Sequence, residues 1–326
     1  MKKIFLNQFI IFLSKTSIMV GGQAVINGVM MRVPGFYATA VRNAESHIII
    51  DRHPHQSLVD NYNLTKIPIL RGFLHLIDSM KIGFQTLEWS ASIAEDNTPS
   101  NKIINFLMTL FSIAFAVSLF MGIPYLLTEF TLSLNNFSNN QFLFNSFAGF
   151  LRIMIFLLYL YCISKLEDIA CLFQYHGAEH KVVYNFEAGS SVSVQNAQQF
   201  STKHPRCGTS FVFILMLVTI LTYAIADSLI ASAGLLNFTV FSRILFHLLL
   251  LPFVAGLGYE VLKFLASKQN NPFFAILSKP GLWLQNITTK EPTDDQVEVS
   301  IEALNAAFDN NLDKFKGQKF NADAIG

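Results

Sequence analysis

Apolar positions fall into two kinds of run along this chain. Four blocks are almost continuously apolar over about 20 residues, the length of a helix that crosses the hydrocarbon core of a bilayer. They lie at 103–127, 142–163, 210–230 and 243–265. Elsewhere the pattern is periodic. The stretches Tyr37–Asn43 and Ser46–His53 are rich in β-branched and aromatic residues around a turn at Asn43–Glu45, and Pro34–Gly35 marks another turn. This predicts a small antiparallel sheet outside the membrane. Over 64–94, Leu74, Ile77, Met80 and Leu87 recur near a period of 3.6, interrupted by Arg71, Asp78, Lys81 and Glu88. Those charges make a poor span, so the segment reads as a helix along the interface or packed on the spans. Near the end, Thr293 and Gln296 have capping-box spacing ahead of a stripe of Ile301, Leu304 and Phe308.

The predicted fold class is an α-helical integral membrane protein with about four transmembrane helices, a small cytoplasmic β-containing N-terminal domain and an interfacial helix. The organisation follows: 1–62, lead-in and β domain; 63–102, interfacial helix and linker; 103–163, the first two spans; 164–209, a cytoplasmic metal-binding loop; 210–265, the last two spans; 266–326, a cytoplasmic tail. Residues 1–20 begin with two Lys before an apolar run, but Asn7, Gln8, Ser14 and Lys15 break it, which favours a retained lead-in over a cleaved signal.

Charge decides the orientation. The loops at 128–141 and 231–242 contain no Lys or Arg, whereas 164–209 contains Lys165, Lys181, Lys203 and Arg206. Basic residues mark the cytoplasmic side. Both termini and the 164–209 loop are therefore expected on the cytoplasmic face of an inner membrane. With 52% apolar and 14% charged residues the composition supports a membrane protein, and a formal net charge of +1 offers no footprint for nucleic acid. Three Cys, none in a C-x-x-C pair, form no disulfide framework.

Metal-capable side chains concentrate between Tyr175 and Gly208. His176, Glu179 and His180 form H-x-x-E-H, and His204 and Cys207 follow in H-P-R-C-G. Two His four residues apart share a helix face and can hold one divalent ion, typically zinc. In metalloproteases of the inverted zincin type the Glu of this motif is the general base. His176, His180, His204 and Cys207 together would close a tetrahedron, the structural zinc arrangement; three of them would leave a position for water and allow catalysis. Glu187 lies near the same face about three turns from His176. Arg206 is a candidate for steadying a developing oxyanion, as is Arg32.

Other residues are candidates for ligand contact. Gly22 and Gly28 allow close backbone approach beside Arg32, although a Gly-rich sheet edge explains the same letters. GGQAVINGV is neither a phosphate-binding P-loop nor a dinucleotide fingerprint. Arg152 interrupts the second span and Glu260 the fourth; ionisable groups there face a bundle interior or water, and the two are a candidate pair. Asp227 and His247 read as ordinary interfacial groups. His53 and His55, at i and i+2, are weak metal candidates.

Taken together, GGQAV-x-x-GVMMR at 21–32, Arg71–Gly72, YHGAEHK at 175–181, HPRCGTSF at 204–211 and the TTKEP…EVSIEAL tail resemble the YqhQ-like family, bacterial multi-spanning membrane proteins regarded as metal-dependent enzymes. The likeness covers about 19–308. It implies the four-span layout and a metal role for His176, Glu179, His180, His204 and Cys207, and it supplies no substrate. This chain departs from the family at Asn27, where the motif carries an acidic residue.

The leading expectation is a zinc-dependent hydrolase acting at the cytoplasmic face on a lipid, a lipid-linked molecule or a membrane protein. The alternatives are a metal-stabilised scaffold or accessory protein that docks a partner, and a transporter. A homo-oligomer or membrane complex is compatible with each.

Overall fold

The structure, a computed structural model, describes residues 20–62, 64–94, 102–134, 140–205, 207–235, 239–268, 271–315 and 317. It opens with a four-stranded antiparallel sheet in the order β1 (Gly21–Val25), β2 (Gly28–Val33), β3 (Phe36–Arg42) and β4 (Ile48–Pro54). The turns at Pro34–Gly35 and Asn43–Glu45 are where the sequence places them, and a third, at Ile26–Asn27, joins β1 to β2. Gly35 takes φ 86° between β2 and β3. Asn27 takes φ 51° between β1 and β2, a conformation that Asn and Asp both tolerate, so the departure at this position is compatible with the same turn.

Both faces of the sheet are covered. Val29, Met31, Val33, Ala38 and Ala40 point to one side; Met30, Tyr37 and Val41 point to the other. This is the two-residue alternation of a strand read out in burial. The second face meets helix α1 (Leu70–Ala94) through Ile82, Leu87, Trp89 and Ile93.

Four helices are long and apolar enough to cross a membrane. The first crossing is α2 (Lys102–Val117) and α3 (Ile123–Leu134), joined by one π-helical turn at Ser118–Gly122. The others are α4 (Gln141–Ile163), α6 (Gly208–Ser232) and α7 (Val240–Ser267). Between the second and third crossings lies α5 (Glu167–Ala188), which ends at Gly189 in the left-handed conformation usual for a helix terminus. Two helices close the chain: α8 (Pro272–Thr288), packed on α6, and α9 (Asp294–Ala307), which starts at the Thr293–Gln296 capping box and covers the sheet beside α5. The first sheet face is thus sealed by Tyr175, Ala178, Val182, Val183 and Phe186 of α5 and by Val297, Ala303 and Leu304 of α9. The helix predicted from 64–94 also finds its neighbours, lying between the sheet and α7.

The polar groups inside the bundle differ from expectation. Asp227 and His247 are not interfacial: both are buried and part of one network. The Asp227 carboxylate accepts from Asn145 Nδ2 at 2.9 Å and meets His247 Nε2 at 3.0 Å and Arg243 Nε at 3.3 Å. Arg243 in turn donates to Gln141. Three spanning helices, α4, α6 and α7, supply these side chains. Arg152 and Glu260 do not pair. Glu260 takes a two-pronged ion pair from Arg71 at 2.7 and 2.6 Å, because α1 lies against this end of α7. Arg152 donates from Nε to the Phe120 carbonyl at 3.3 Å, within the π-helical turn, where the widened helix displaces the usual backbone pairing.

Candidate metal centre

Helix α5 presents His176 and His180 one turn apart on the face that looks toward the start of α6. Cys207 is the N-cap of α6; its sulfur lies 3.4 Å from Thr209 N and 3.2 Å from Thr209 Oγ1. A cap at this position faces the unpaired N–H groups of the first turn, which favour a negatively charged partner. The nearest nitrogens of the two imidazoles and the Cys207 sulfur all lie within 4.8 Å of one another.

The outer hydrogen bonds orient both rings. His176 Nδ1 meets the Thr288 carbonyl at 2.8 Å, and His180 Nδ1 meets the Thr202 carbonyl. A carbonyl can only accept, so each Nδ1 carries the proton and each Nε2 keeps its lone pair. His176 Nε2 is 3.1 Å from Cys207 Sγ. His180 Nε2 is buried and makes no well-formed hydrogen bond, although the Cys207 sulfur is close by. Two inward lone pairs, a cysteine sulfur, and backbone acceptors behind the rings fit a borderline-soft divalent ion.

His204 stands beside this set rather than in it. Its ring centroid is 5.6 Å from that of His180 and 4.4 Å from that of Tyr184, and its Nε2 lies 3.8 Å from the Glu187 carboxylate. The four-ligand arrangement is therefore not what the fold brings together. The reason is local. Gln285 Oε1 accepts from His204 N at 2.7 Å, and Gln285 Nε2 donates to His204 O at 2.8 Å, which pins that backbone from α8. Glu187 approaches this region through its contact with His204.

Glu179 is buried next to His180 and faces the sheet edge. Its carboxyl packs against Gly22, with Cδ 3.1 Å from where a Cβ on that residue would stand. Burial pushes its carboxyl upward, with the His176 and His204 rings and the Gly22 N–H pulling the other way. Burial likewise lowers His180, and it lowers His204 to about 4, so both rings stay neutral at physiological pH.

Two glycines make the assembly possible. A Cβ on Gly22 would stand 2.4 Å from Met30 O and 3.1 Å from Glu179 Cδ. On Gly177 it would meet Lys290 O at 2.0 Å. That second approach lets the 288–291 linker cross α5, where Lys290 N donates to Phe173 O at 2.9 Å and Thr288 reaches His176. Thr202, Gln285, Thr288 and Lys290 thus support the site although the sequence pattern singled out none of them. Two are used through backbone carbonyls, which leave no mark on residue type; the TTKEP stretch was the only signal.

The remaining candidates lie elsewhere. Arg32 points to the opposite face of the sheet, where it meets His55 Nε2 at 3.0 Å and Asp78 at 3.8 Å, so it cannot serve a centre on α5. Burial lowers Arg32, with Asp78 opposing. Gly28 packs against β3, with Ala40 O 2.1 Å from where its Cβ would be, and touches no cavity. His53 and His55 pair with Asp51 and Asp78 respectively and share no ion site. Arg206 lies outside the described residues.

A cavity of about 420 Å³ opens over the centre. Its walls are residues 20–24 of the β1 edge, the α5 face with Leu172, Phe173 and Val183, and the first turns of α6 as far as Val212. The centre therefore sits at the head of a spanning helix. Four apolar crossings, an N-terminal sheet and a convergent His/His/Cys set define a multi-span membrane protein with a candidate metal centre.

The family described as "Protein of unknown function (DUF1385)" matches residues 67–310, and the chain belongs to it. "Uncharacterized protein YqhQ" from Bacillus subtilis (strain 168) is 31% identical over 300 residues, which is 87% of this chain and 91% of that protein. No solved structure matches the chain.

Proposed function

We propose that the protein is a metal-dependent hydrolase that acts at the membrane surface on a lipid, a lipid-linked molecule or a membrane-protein segment. One observation carries this reading: His176, His180 and Cys207 converge without a fourth described ligand, beside the buried carboxylate of Glu179. Three protein ligands are the pattern of catalytic zinc, and four that of structural zinc. That contrast favours the enzyme over a metal-stabilised scaffold. A divalent ion held there would supply Lewis-acid activation of water and of the substrate's carbonyl or phosphoryl oxygen.

The chain's own groups divide the remaining work. The carbonyls of Thr288 and Thr202 hold the two rings in the ligating tautomer. Glu179, packed against Gly22, accepts the proton of the attacking water and returns it to the leaving group. Leu172, Phe173, Val183 and Val212 exclude bulk water, which strengthens every charge interaction inside. The cavity adjoins the membrane, so an amphipathic substrate reaches it more directly than a free solute. By the positive-inside rule the site faces the cytoplasm.

The test uses full-length protein in detergent, reconstituted with cobalt. A three-ligand centre changes its visible spectrum on addition of acetohydroxamate, a small chelator that needs an open position. Glu179→Gln retains one equivalent of cobalt and loses cellular complementation, with turnover down by about 10²-fold or more. An unchanged spectrum, or full complementation by Glu179→Gln, rejects the hydrolase.

A further inference from the structure

Strand β1 is the edge of the sheet, hydrogen-bonded only to β2. Its outer side is directed at the metal centre, and that juxtaposition identifies a class of substrate. Alternate residues of an edge strand turn their backbone groups outward. Two of these outward positions already have neighbours: the Glu179 carboxyl packs against Gly22, and Ile26 N–H donates to Ser90 Oγ of α1 at 3.2 Å. Ala24 lies between them in the same register, and no hydrogen bond from a described side chain reaches its N–H or carbonyl.

The cavity lies along this edge. Side chains alternate across a strand, so a cavity against one face would be lined by every second residue. Here Val20, Gly21, Gly22, Gln23 and Ala24 all line it in succession. What the cavity follows is therefore the backbone. Its other described walls include Leu172, Phe173, Val183, Gly208 and Val212, and no Lys or Arg. The first N–H groups of α6 attract an anion, but no cationic side chain among the described lining residues would pair with a phosphate, whereas an unpaired strand edge recognises another strand along its length.

We infer that the substrate is an extended polypeptide, added as a strand to the outer edge of β1 with its scissile amide beside His176, His180 and Cys207. This rests on the hydrolase reading and narrows it to a peptidase. Main-chain hydrogen bonds to Ala24 and to the Gly22 carbonyl supply affinity, and the apolar walls accept apolar side chains. Gly22 packs against the Glu179 carboxyl, which places the base beside the strand that would hold the peptide. In the reaction the water oxygen forms a bond to the amide carbon and the C–N bond breaks. Both water protons pass in turn through Glu179 to the leaving nitrogen, giving a carboxylate and an ammonium group.

The experiment uses cobalt-loaded full-length protein and four probes: acetohydroxamate, the apolar peptide hydroxamate Leu-Val-Ala-NHOH, the same peptide with N-methylated amides, and an alkylphosphate hydroxamate of similar length. The unmethylated peptide binds about tenfold more tightly than acetohydroxamate, the equivalent of two net backbone hydrogen bonds, and N-methylation removes that gain. Ala24→Pro, which deletes an outward N–H at an edge where proline is tolerated, removes the gain as well, whereas Ala24→Val keeps it. Acetohydroxamate binding with no further gain for the peptide, or a methylated peptide that binds equally well, overturns the strand addition and leaves the hydrolase standing. Tighter binding of the alkylphosphate assigns the site to a lipid-like substrate and also overturns it. Failure of every hydroxamate to change the spectrum removes the open metal position itself.

Discussion

Two protons on two imidazoles decide what this site can hold. Each Nδ1 is committed to a backbone carbonyl, Thr288 for His176 and Thr202 for His180, so each Nε2 is a ready electron-pair donor. Neutral rings are required of ligands, and burial keeps His180 neutral. The expected metal content follows residue by residue. His176→Ala, His180→Ala and Cys207→Ser each lower bound zinc from about one equivalent toward zero, because the removal of one of three ligands leaves too few to hold it. His204→Ala keeps most of the zinc, since the His204 ring lies against Tyr184, outside the convergent set. Elemental analysis of protein purified without chelators measures all four; equal loss in His204→Ala would restore the four-ligand centre.

Among the elements, α4, α6 and α7 are tied by a buried carboxylate. Asp227 is fully buried and draws Asn145, Arg243 and His247 around it from both neighbouring helices. In hydrocarbon such a carboxylate is tolerated only with its charge and lone pairs matched. Arg243 supplies the opposite charge and also stacks on Phe144, 4.4 Å from the ring centroid. Asp227→Ala leaves the Arg243 guanidinium uncompensated and costs about 3–5 kcal/mol, the usual penalty for breaking a buried pair. Asp227→Ala with Arg243→Met costs less than the sum of the two single changes, by a coupling of about 1 kcal/mol or more. Thermal midpoints in detergent read the cycle, and strict additivity would mean that the pair does not act as a unit. The tie also bears on the centre, because Cys207 caps the other end of the helix that carries Asp227.

At the scale of the whole molecule, crossing of the membrane by all four long apolar helices would put the sheet, α5 and α9 on one side and the connections without Lys or Arg on the other. Reporter fusions at 135 and 236 are expected to read as external, and one at 190 as cytoplasmic, in accord with the positive-inside rule. A cytoplasmic signal at 135 would contradict the arrangement. The same layering explains why the centre lies at the head of a spanning helix. The sheet needs a cover on each face, α5 and α9 supply one, and α5 is joined to spans at both ends of its connection.

How much of this was legible depends on the range of the interactions. The four spans, the turn at Gly35 and the Thr293 cap follow from local composition and spacing, because a continuous apolar run, a positive φ and a capping hydroxyl are each satisfied within a few residues. The metal motif was legible for a similar reason, since His176 and His180 share a helix face at any fold. What the tertiary structure alone decided is which residues from distant segments meet them. It chose Cys207 over His204, because Gln285, 81 residues away, pins the His204 backbone. It set Arg32 on the far face of the sheet and gave Glu260 to Arg71 rather than Arg152, because strand register and helix packing determine those contacts and neither is encoded within any short window. It also turned the outer edge of β1 toward Glu179, a relation between a strand and a helix more than 150 residues apart that only the packed sheet brings about.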